Sequence, residues 1–228
     1  MLRTTLLSAC SALGLLAGLG SASAANIVSN GSFESGLAGW TLSGSAGGGF
    51  PAVAIFYNSA SGYPTGAFGE AVPPNNDFTN SPDPVGARAA YFVDDFSTNE
   101  TLSQTVFLSP GTYQIGFSAY LPANGQANAG EATFVGSIAG VTLANFAAST
   151  LPAQTWQTYA GSTTIAAAGN YLVSFTFNTA LSPSKDVVID QVYVIAGNPP
   201  VDAPAPAALG LFGLGLLGLA AARRRKAG

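Results

Sequence analysis

The middle of the chain alternates apolar and polar residues with a period of two, and this pattern restricts the possible folds most. The alternation runs from residue 112 to 121 and again from 171 to 178, as expected for strands with one buried face. No helix of ordinary length is predicted between residues 26 and 202. The fold class is therefore all-β, an antiparallel β-sandwich. Further strands are predicted at 53–57, 89–93, 102–108, 132–137, 141–146, 156–165 and 187–195.

One long segment interrupts the regular spacing of these strands. Residues 43–86, called the excursion below, are rich in Gly, Pro, Ser and Asn. A segment of this length is too long for a hairpin loop. We predict that the excursion runs over one face or edge of the sandwich.

Histidine is absent, and the charges are unevenly distributed. The chain has 7 basic residues, 11 acidic residues and no His, which excludes a Ser-His-Asp or Cys-His nucleophile and a His-ligated zinc. Between residues 26 and 202 only Arg88 and Lys185 are basic, whereas all 11 acids lie there, a net charge of −9. Nucleic-acid binding depends on clustered Lys and Arg, so no nucleic-acid partner is expected. The same charge favours neutral over anionic polysaccharides.

A secretory signal peptide is predicted over residues 1–24. A basic residue near the start precedes an apolar run, and Ala22 and Ala24 form a small-x-small cleavage pattern, the layout of such signals. Signal peptidase is therefore an expected partner, with cleavage after Ala24. A lipoprotein signal that ends at Cys10 is the alternative.

A second sorting segment is predicted at residues 201–228. It holds a proline-bearing approach, an apolar stretch at 207–222 and a basic stop at 223–226. Sixteen residues make a helix of about 24 Å, which is marginal against a hydrocarbon core of about 30 Å. The basic stop would remain on the cytoplasmic side, so the domain would lie across the membrane. A permanent C-terminal anchor is the alternative to removal of the tail.

This C-terminal layout resembles the PEP-CTERM sorting signal of Gram-negative bacteria. The resemblance implies a processing enzyme of the exosortase type, export across the inner membrane, and anchoring by the C-terminal helix before processing. It also implies a location at the cell surface or in the extracellular matrix afterwards. The family has Glu at the centre of its proline motif, where this chain has Ala. The resemblance rests, besides the signal peptide, on Pro204, Ala205 and Pro206 and on Arg223, Arg224 and Arg225.

The domain at residues 25–200 contains an ordered set of short fragments: Asn30-Gly31-Ser32-Phe33-Glu34, Gly39-Trp40, Leu102-Ser103-Gln104-Thr105-Val106, Pro110-Gly111-Thr112-Tyr113 and Ile189-Asp190-Gln191-Val192. With this set, the domain resembles the jelly-roll modules of the carbohydrate-binding-module type. The resemblance implies a jelly-roll β-sandwich and a structural calcium held by Glu34 and Asp190 with backbone carbonyls.

Strand parity gives a separate reason to expect a cation at Asp190. This residue has the parity of Val188 and Val192, so it faces the core if they do. A buried carboxylate without a partner is costly, and oxygen ligands suit calcium. The alternative is an Asp that accepts backbone hydrogen bonds at the sandwich edge.

Aromatic side chains are the candidate ligand-binding residues, because a flat ring stacks on the apolar face of a sugar. Trp40 and Trp156 occupy positions where a Trp more often fills a sandwich core. Better candidates lie on the outer parity of a strand or in the excursion: Tyr120, Tyr57, Tyr63 and Phe68, with Phe50 as a further excursion residue.

No catalytic residue is assigned. The densest acidic group is Asp94 and Asp95, with Asp83 and Glu100 nearby. Adjacent strand residues point to opposite faces, so Asp94 and Asp95 cannot act together as acid and base unless a loop reorients them. Surface solvation or a second cation site is expected.

The sequence thus predicts an exported, non-enzymatic protein of the cell surface or extracellular matrix that binds or embeds in polysaccharide. The alternatives are a secreted carbohydrate-active hydrolase that uses carboxylates, and a protein-binding adhesin or structural matrix component.

Overall fold

Two antiparallel five-stranded sheets pack face to face in the computed structural model, which describes residues 25–75 and 81–197. The strands are β1 (Thr41–Ala46), β2 (Val53–Phe56), β3 (Arg88–Phe92), β4 (Ser97–Leu108), β5 (Gly111–Tyr120), β6 (Ala132–Ile138), β7 (Val141–Ala147), β8 (Gln157–Ile165), β9 (Gly169–Thr179) and β10 (Val187–Ala196). A short helix, α1 (Ala123–Gln126), follows β5, and a single 3-10 turn spans Ala148–Thr150. The first sheet has the order β1-β4-β9-β6-β7 and the second the order β2-β3-β10-β5-β8.

This architecture confirms the predicted all-β, jelly-roll class. Each strand predicted from alternation is present, although β4 begins five residues earlier than predicted. The unpredicted strand is β1, whose sequence TLSGSA is mostly polar. It forms at the edge of the first sheet, where it pairs with β4 alone. An edge strand needs less apolar surface than a central one, which explains why periodicity does not reveal it.

Aromatic rings fill the space between the two sheets. Five fully buried phenylalanines from both sheets touch in a chain of ring contacts, with centroids 4.9 Å apart for Phe117 and Phe175 and 5.6 Å apart for Phe92 and Phe134. Trp40 packs on Phe33 and Phe175, so it extends the same cluster. Burial of large apolar rings is the main stabilising term in such a core.

A bulge in β10 corrects the parity argument for Asp190. The register with β5 shifts between Asp190 and Tyr193, and Gln191 has a positive φ of 53°. Val192 therefore faces the space between the sheets, whereas Asp190 stays on the side of Val188, the outer face of the second sheet. The expectation that Asp190 points inward with Val192 is wrong, because one extra residue reverses the alternation.

The outer face of the second sheet is covered by the excursion. Ile55, Tyr91, Tyr120 and Val188 of the sheet pack against Tyr57, Ala67 and Val72 to form a second buried cluster. The predicted crossing of one face is therefore present, and it removes this sheet face from solvent.

The two sorting segments lie outside the described residues. This holds for the signal peptide with Ala22 and Ala24, and for the tail with its helix at 207–222 and its basic stop. Within residues 25–75 and 81–197, none of the helices has the length and hydrophobicity that a bilayer crossing requires.

Candidate functional site

A cleft of about 330 Å³ opens where five segments of the chain meet at one end of the sandwich. We call it the ring-lined cleft. Two aromatic side chains, three amide or carboxylate side chains of α1 and the loops, and one buried carboxylate contribute to its wall. Its volume lies at the lower end of the range for small-molecule sites. The lining residues are Phe50, Phe68, Val93, Asp95, Asn124, Gly125, Asn128, Pro183 and Asp186.

Three aromatic rings of the excursion meet beside this cleft and form the ring triad (Phe50, Tyr63 and Phe68). The centroids of Phe50 and Tyr63 are 5.2 Å apart, and those of Phe50 and Phe68 are 5.8 Å apart. Phe50 and Phe68 are 41% and 48% exposed, and the Tyr63 hydroxyl donates a hydrogen bond to the Pro51 carbonyl at 3.0 Å. The rings therefore present an ordered apolar surface to solvent, as a sugar-stacking platform does.

A buried carboxylate fixes the loop that carries Phe50. Asp94 is fully buried, and its Oδ1 accepts a hydrogen bond from the Phe50 backbone N–H at 3.1 Å. Its Oδ2 accepts from the Gly48 and Phe96 N–H groups, both at 3.0 Å. The expectation of surface solvation is wrong for Asp94, since this side chain organises the loop from within.

Glu100 holds the next part of the same loop. Its Oε1 accepts a hydrogen bond from the Ala52 N–H at 2.6 Å, and Oε2 accepts from the Ser97 hydroxyl at 2.5 Å. Burial raises the pKa of the Glu100 carboxyl above its usual range. Surface solvation is therefore also wrong for Glu100, which is a structural acceptor.

The opposite wall of the cleft is the short helix α1 and the turn that follows it. Glu70 of the excursion accepts hydrogen bonds from the Ala123 and Asn124 N–H groups at 2.9 and 2.8 Å. Lys185 Nζ donates to the Gln126 and Asn128 carbonyls at 2.6 and 2.7 Å. A carboxylate at the start of the helix and an ammonium at its end suit the helix dipole, so this wall is tied down at both ends.

Two carboxylates, Asp95 and Asp186, line the cleft. Asp186 is 4% exposed and its Oδ2 accepts a hydrogen bond from the Tyr91 hydroxyl at 2.5 Å. Burial raises the pKa of Asp186 to about 7. The close approach of α1 requires Gly125, because a Cβ atom there would lie 2.6 Å from Asp186 Cγ.

Asp95 is held by the β9–β10 loop. Its Oδ2 accepts from the Ser182 hydroxyl at 2.8 Å, and Oδ1 accepts from the Ser184 N–H at 2.7 Å. The negative charge of Asp95 is a further cause of the raised Asp186 pKa. The two acids therefore lie close enough to interact electrostatically.

The structure separates the four aromatic residues predicted to bind ligand into two pairs. Tyr63 and Phe68 belong to the ring triad, beside or in the cleft. Tyr120 is buried because the excursion lies over its face of the sheet. Tyr57 belongs to the excursion itself and is buried against that face. Trp156 packs on both of these rings and donates a hydrogen bond to the Pro73 carbonyl, so a direct ligand contact at Tyr57 or Tyr120 would require displacement of the excursion.

Asp190 and Glu34, the predicted calcium ligands, show one feature that fits a cation. Asp190 is 0% exposed and accepts a hydrogen bond from Tyr57 at Oδ2, and its Oδ1 has no hydrogen-bond partner among the residues that the structure describes. Glu34 Oε1 accepts from the Ala87 and Arg88 N–H groups. Burial raises the pKa of Asp190 to about 8, opposed by hydrogen bonds from the Tyr57 hydroxyl and the Gln191 backbone and assisted by the negative charge of Glu34.

A cation that prefers oxygen ligands would satisfy the unpaired Asp190 Oδ1, with Glu34 and backbone carbonyls as further metal ligands. Across the described part of the chain, no three His, Cys, Asp or Glu side chains converge to hold a metal by themselves. Calcium therefore stays a prediction.

Comparison with known proteins assigns the tail. The PEP-CTERM protein-sorting motif model matches residues 202–226. The chain carries a PEP-CTERM sorting signal. This confirms the resemblance found at the proline motif and the arginine cluster, and it indicates export with processing by an exosortase. No curated protein matches the chain.

Solved structures similar to the domain include carbohydrate-binding modules and an adhesin domain. TmCBM61 in complex with β-1,4-galactotriose shares 18% identity at a TM-score of 0.43, covering 75% of this chain and 99% of its own. A family 16 carbohydrate-binding module shares 16% identity at a TM-score of 0.42, covering 75% of this chain and 99% of its own. The K1 cleaved adhesin domain of Lys-gingipain from Porphyromonas gingivalis W83 shares 15% identity at a TM-score of 0.43. The match covers 73% of this chain and 96% of that domain. At this level of similarity no ligand is transferred to this chain.

Sequence reasoning missed Asp186, Asn124 and Asn128. Asp186 follows Lys185, one of two basic residues of the domain, and directly precedes a run of apolar residues. This charged pair at the start of an apolar strand is the signal that could have identified it. The two asparagines follow β5 in a segment without periodicity, and nothing in their local sequence indicates that they face a cleft.

Proposed function

We propose that the domain is an exported, non-catalytic polysaccharide-binding module of the cell surface or extracellular matrix, and that the ring-lined cleft is its binding site. The observation that carries this proposal is the ring triad, of which Phe50 and Phe68 are exposed and line the cleft together with Asp and Asn side chains. Sugars need both features, since a pyranose has an apolar face and a rim of hydroxyl groups. The sorting signal supports the location, because its processing would release the domain outside the cell.

The first test removes one ring at a time. We expect Phe50→Ala and Phe68→Ala each to reduce retardation of the full-length chain in gels that contain a neutral polysaccharide. One stacking contact contributes about 0.5–1.5 kcal/mol beyond its buried area, which corresponds to an apparent Kd raised roughly 2- to 12-fold. Affinity electrophoresis in a non-ionic detergent, with a panel of neutral polymers, measures the effect.

Phe107→Ala is the matched control for this test. Phe107 is 62% exposed near the far end of β4, so its removal subtracts an equal ring without touching the cleft. Equal losses in all three variants, or no retardation of the wild-type chain by any polymer, would contradict the proposal and favour an adhesin or structural component.

A hydrolase remains the second candidate because two carboxylates, Asp95 and Asp186, line the cleft. A glycosidase needs a carboxyl with a raised pKa and a second free carboxylate about 5–10 Å away. Asp95 has hydrogen-bond donors on both oxygens, which supports a structural role. Release of reducing sugar from a bound polymer, lost in Asp186→Asn, would establish the hydrolase instead.

The sorting signal yields a prediction of its own. We expect the extracellular protein to begin near Ala25 and to lack Arg223 to Lys226, because cleavage at both signals follows from their layout. Mass spectrometry of both termini of protein recovered from a Gram-negative host with an exosortase tests this. In a strain without that enzyme, the arginine-rich end should persist. An intact arginine-rich end on secreted protein would refute removal of the tail.

A further inference from the structure

We propose that the ring-lined cleft selects uncharged sugar units through their hydroxyl groups, and that Asp95 and Asp186 are specificity-determining residues that exclude uronic acids. This inference rests on the proposed polysaccharide binding at the same cleft. It assigns to two side chains of the cleft the preference for neutral polymers that the net charge of the domain predicts, and it makes this preference a property of the site.

The charged groups of the cleft wall are hydrogen-bond acceptors. Asp95 and Asp186 supply only acceptor oxygens when ionised. The Asn128 amide uses one of its two N–H groups to donate to the Ser184 carbonyl at 2.6 Å, and Asn124 is exposed in the lining. Both amides can donate and accept. Sugar hydroxyls also donate and accept, so they match the carboxylates and the amides alike, whereas a carboxylate on the sugar only accepts and would face the two acids.

Cationic side chains are turned away from the cleft. Lys185 directs its ammonium to the Gln126 and Asn128 carbonyls, and the Arg88 guanidinium lies 3.9 Å above the Phe56 ring. These are the two basic residues of the described ranges, and neither lines the cleft. A uronate in the cleft would therefore meet the charges of Asp95 and Asp186, and none of the described lining residues supplies a counter-ion. Burial of the site reduces screening of this repulsion by salt.

Protonation of Asp186 should weaken this exclusion. The groups around it are the Tyr91 hydroxyl of β3, Asp95 of the following loop, Glu70 of the excursion and the neighbouring Lys185. Burial is the largest cause of its raised pKa of about 7, and Asp95 and Glu70 raise it further. Asp186 therefore gains a proton as the pH falls through about 7, whereas a uronate stays ionised over the same range. Retention of a uronate should therefore increase as the pH falls.

The experiment compares one polymer with its own charged form. A neutral polysaccharide that retards the full-length wild-type chain is oxidised at its C6 hydroxyl groups to carboxylates, and part of the product is methyl-esterified to remove the charge again. In calcium-free buffer at pH 8 we expect oxidation to weaken wild-type binding at least tenfold and esterification to restore most of it. For Asp186→Asn we expect the ratio of the two dissociation constants, oxidised over parent polymer, to be at least fivefold smaller than for wild type.

Asp83→Asn is the matched control, because it removes the same charge outside the cleft, where Asp83 accepts a hydrogen bond from Asn26. It should leave the discrimination unchanged. Because Asp186→Asn could impair folding, wild-type binding of the oxidised polymer at pH 6 and pH 8 is the second measurement, and we expect at least threefold tighter binding at pH 6.

The outcomes separate the two proposals. Equal wild-type binding of parent and oxidised polymers, or equal gains from Asp186→Asn and Asp83→Asn, overturns the inference while ring-dependent binding still supports the proposed function. No binding of any neutral polymer overturns both.

Discussion

Calcium added to the chelator-treated full-length chain is expected to raise its melting temperature by about 5–11 °C. A ligand that binds only the folded state at a hundredfold excess over Kd adds about 2.7 kcal/mol, and 1 kcal/mol shifts the melting temperature of a domain of this size by about 2–4 °C. The physical reason is Asp190, which is fully buried and has an orphaned oxygen.

The order of the melting temperatures of wild type and Asp190→Asn should differ between chelator and millimolar calcium. At pH 9, above the raised pKa of about 8 of Asp190, the neutral amide keeps an acceptor for the Tyr57 hydroxyl but avoids an uncompensated buried charge. In chelator we therefore expect the variant to melt at or above the wild-type temperature. In millimolar calcium it should melt below wild type, because it has lost a charged ligand. Differential scanning calorimetry in both buffers measures the crossing.

Asp186→Asn is the control for this prediction. Asp186 lies on the approach to the same strand, is equally shielded from solvent and is hydrogen-bonded to a tyrosine, yet it has no predicted role in calcium binding. Its melting temperature should rise with calcium as wild type does. A wild-type melting temperature that is the same in chelator and in millimolar calcium would count against the site.

The β-strands could be predicted from sequence because each central strand has a continuous apolar row that must be buried. Phe117 of β5 and Phe175 of β9 belong to such rows, and their rings meet between the sheets. Alternation predicts which residues of a strand share a face, but it does not predict where a bulge shifts the register. The bulge at Gln191 changes the face of Asp190 while leaving every residue type unchanged.

The cleft could be predicted only in part, since it depends on contacts between segments distant in the chain. Tyr63 and Phe68 are identifiable because aromatic rings in a polar, glycine-rich loop are uncommon without a role. Tyr120 shows the limit of the same reasoning. It lies on the outer face of its sheet as predicted, but it is buried rather than exposed. Whether an outer face is free depends on where the excursion lies, which no local pattern encodes.

The largest effect of a single substitution near the cleft is expected from Asp94→Ala. Three backbone N–H groups, those of Gly48, Phe50 and Phe96, would lose their acceptor. A buried donor left unsatisfied costs about 1–3 kcal/mol, and water will reach part of this exposed loop. We therefore expect the free energy of unfolding, measured by urea titration, to fall by about 2–4 kcal/mol.

The same variant tests whether the loop, rather than the ring alone, carries the binding. Because the Phe50 N–H is held by Asp94, loss of this carboxylate should free the loop and weaken polysaccharide retention as much as Phe50→Ala does, at a temperature where the variant is folded. Glu131→Ala is the control, since Glu131 accepts from the Ala132 and Ser149 N–H groups at a more exposed site. Water can replace that carboxylate, so its removal should cost under about 1 kcal/mol and leave retention intact. Unchanged stability in Asp94→Ala, or full retention despite a loosened loop, would show that the position of Phe50 does not depend on this buried acid.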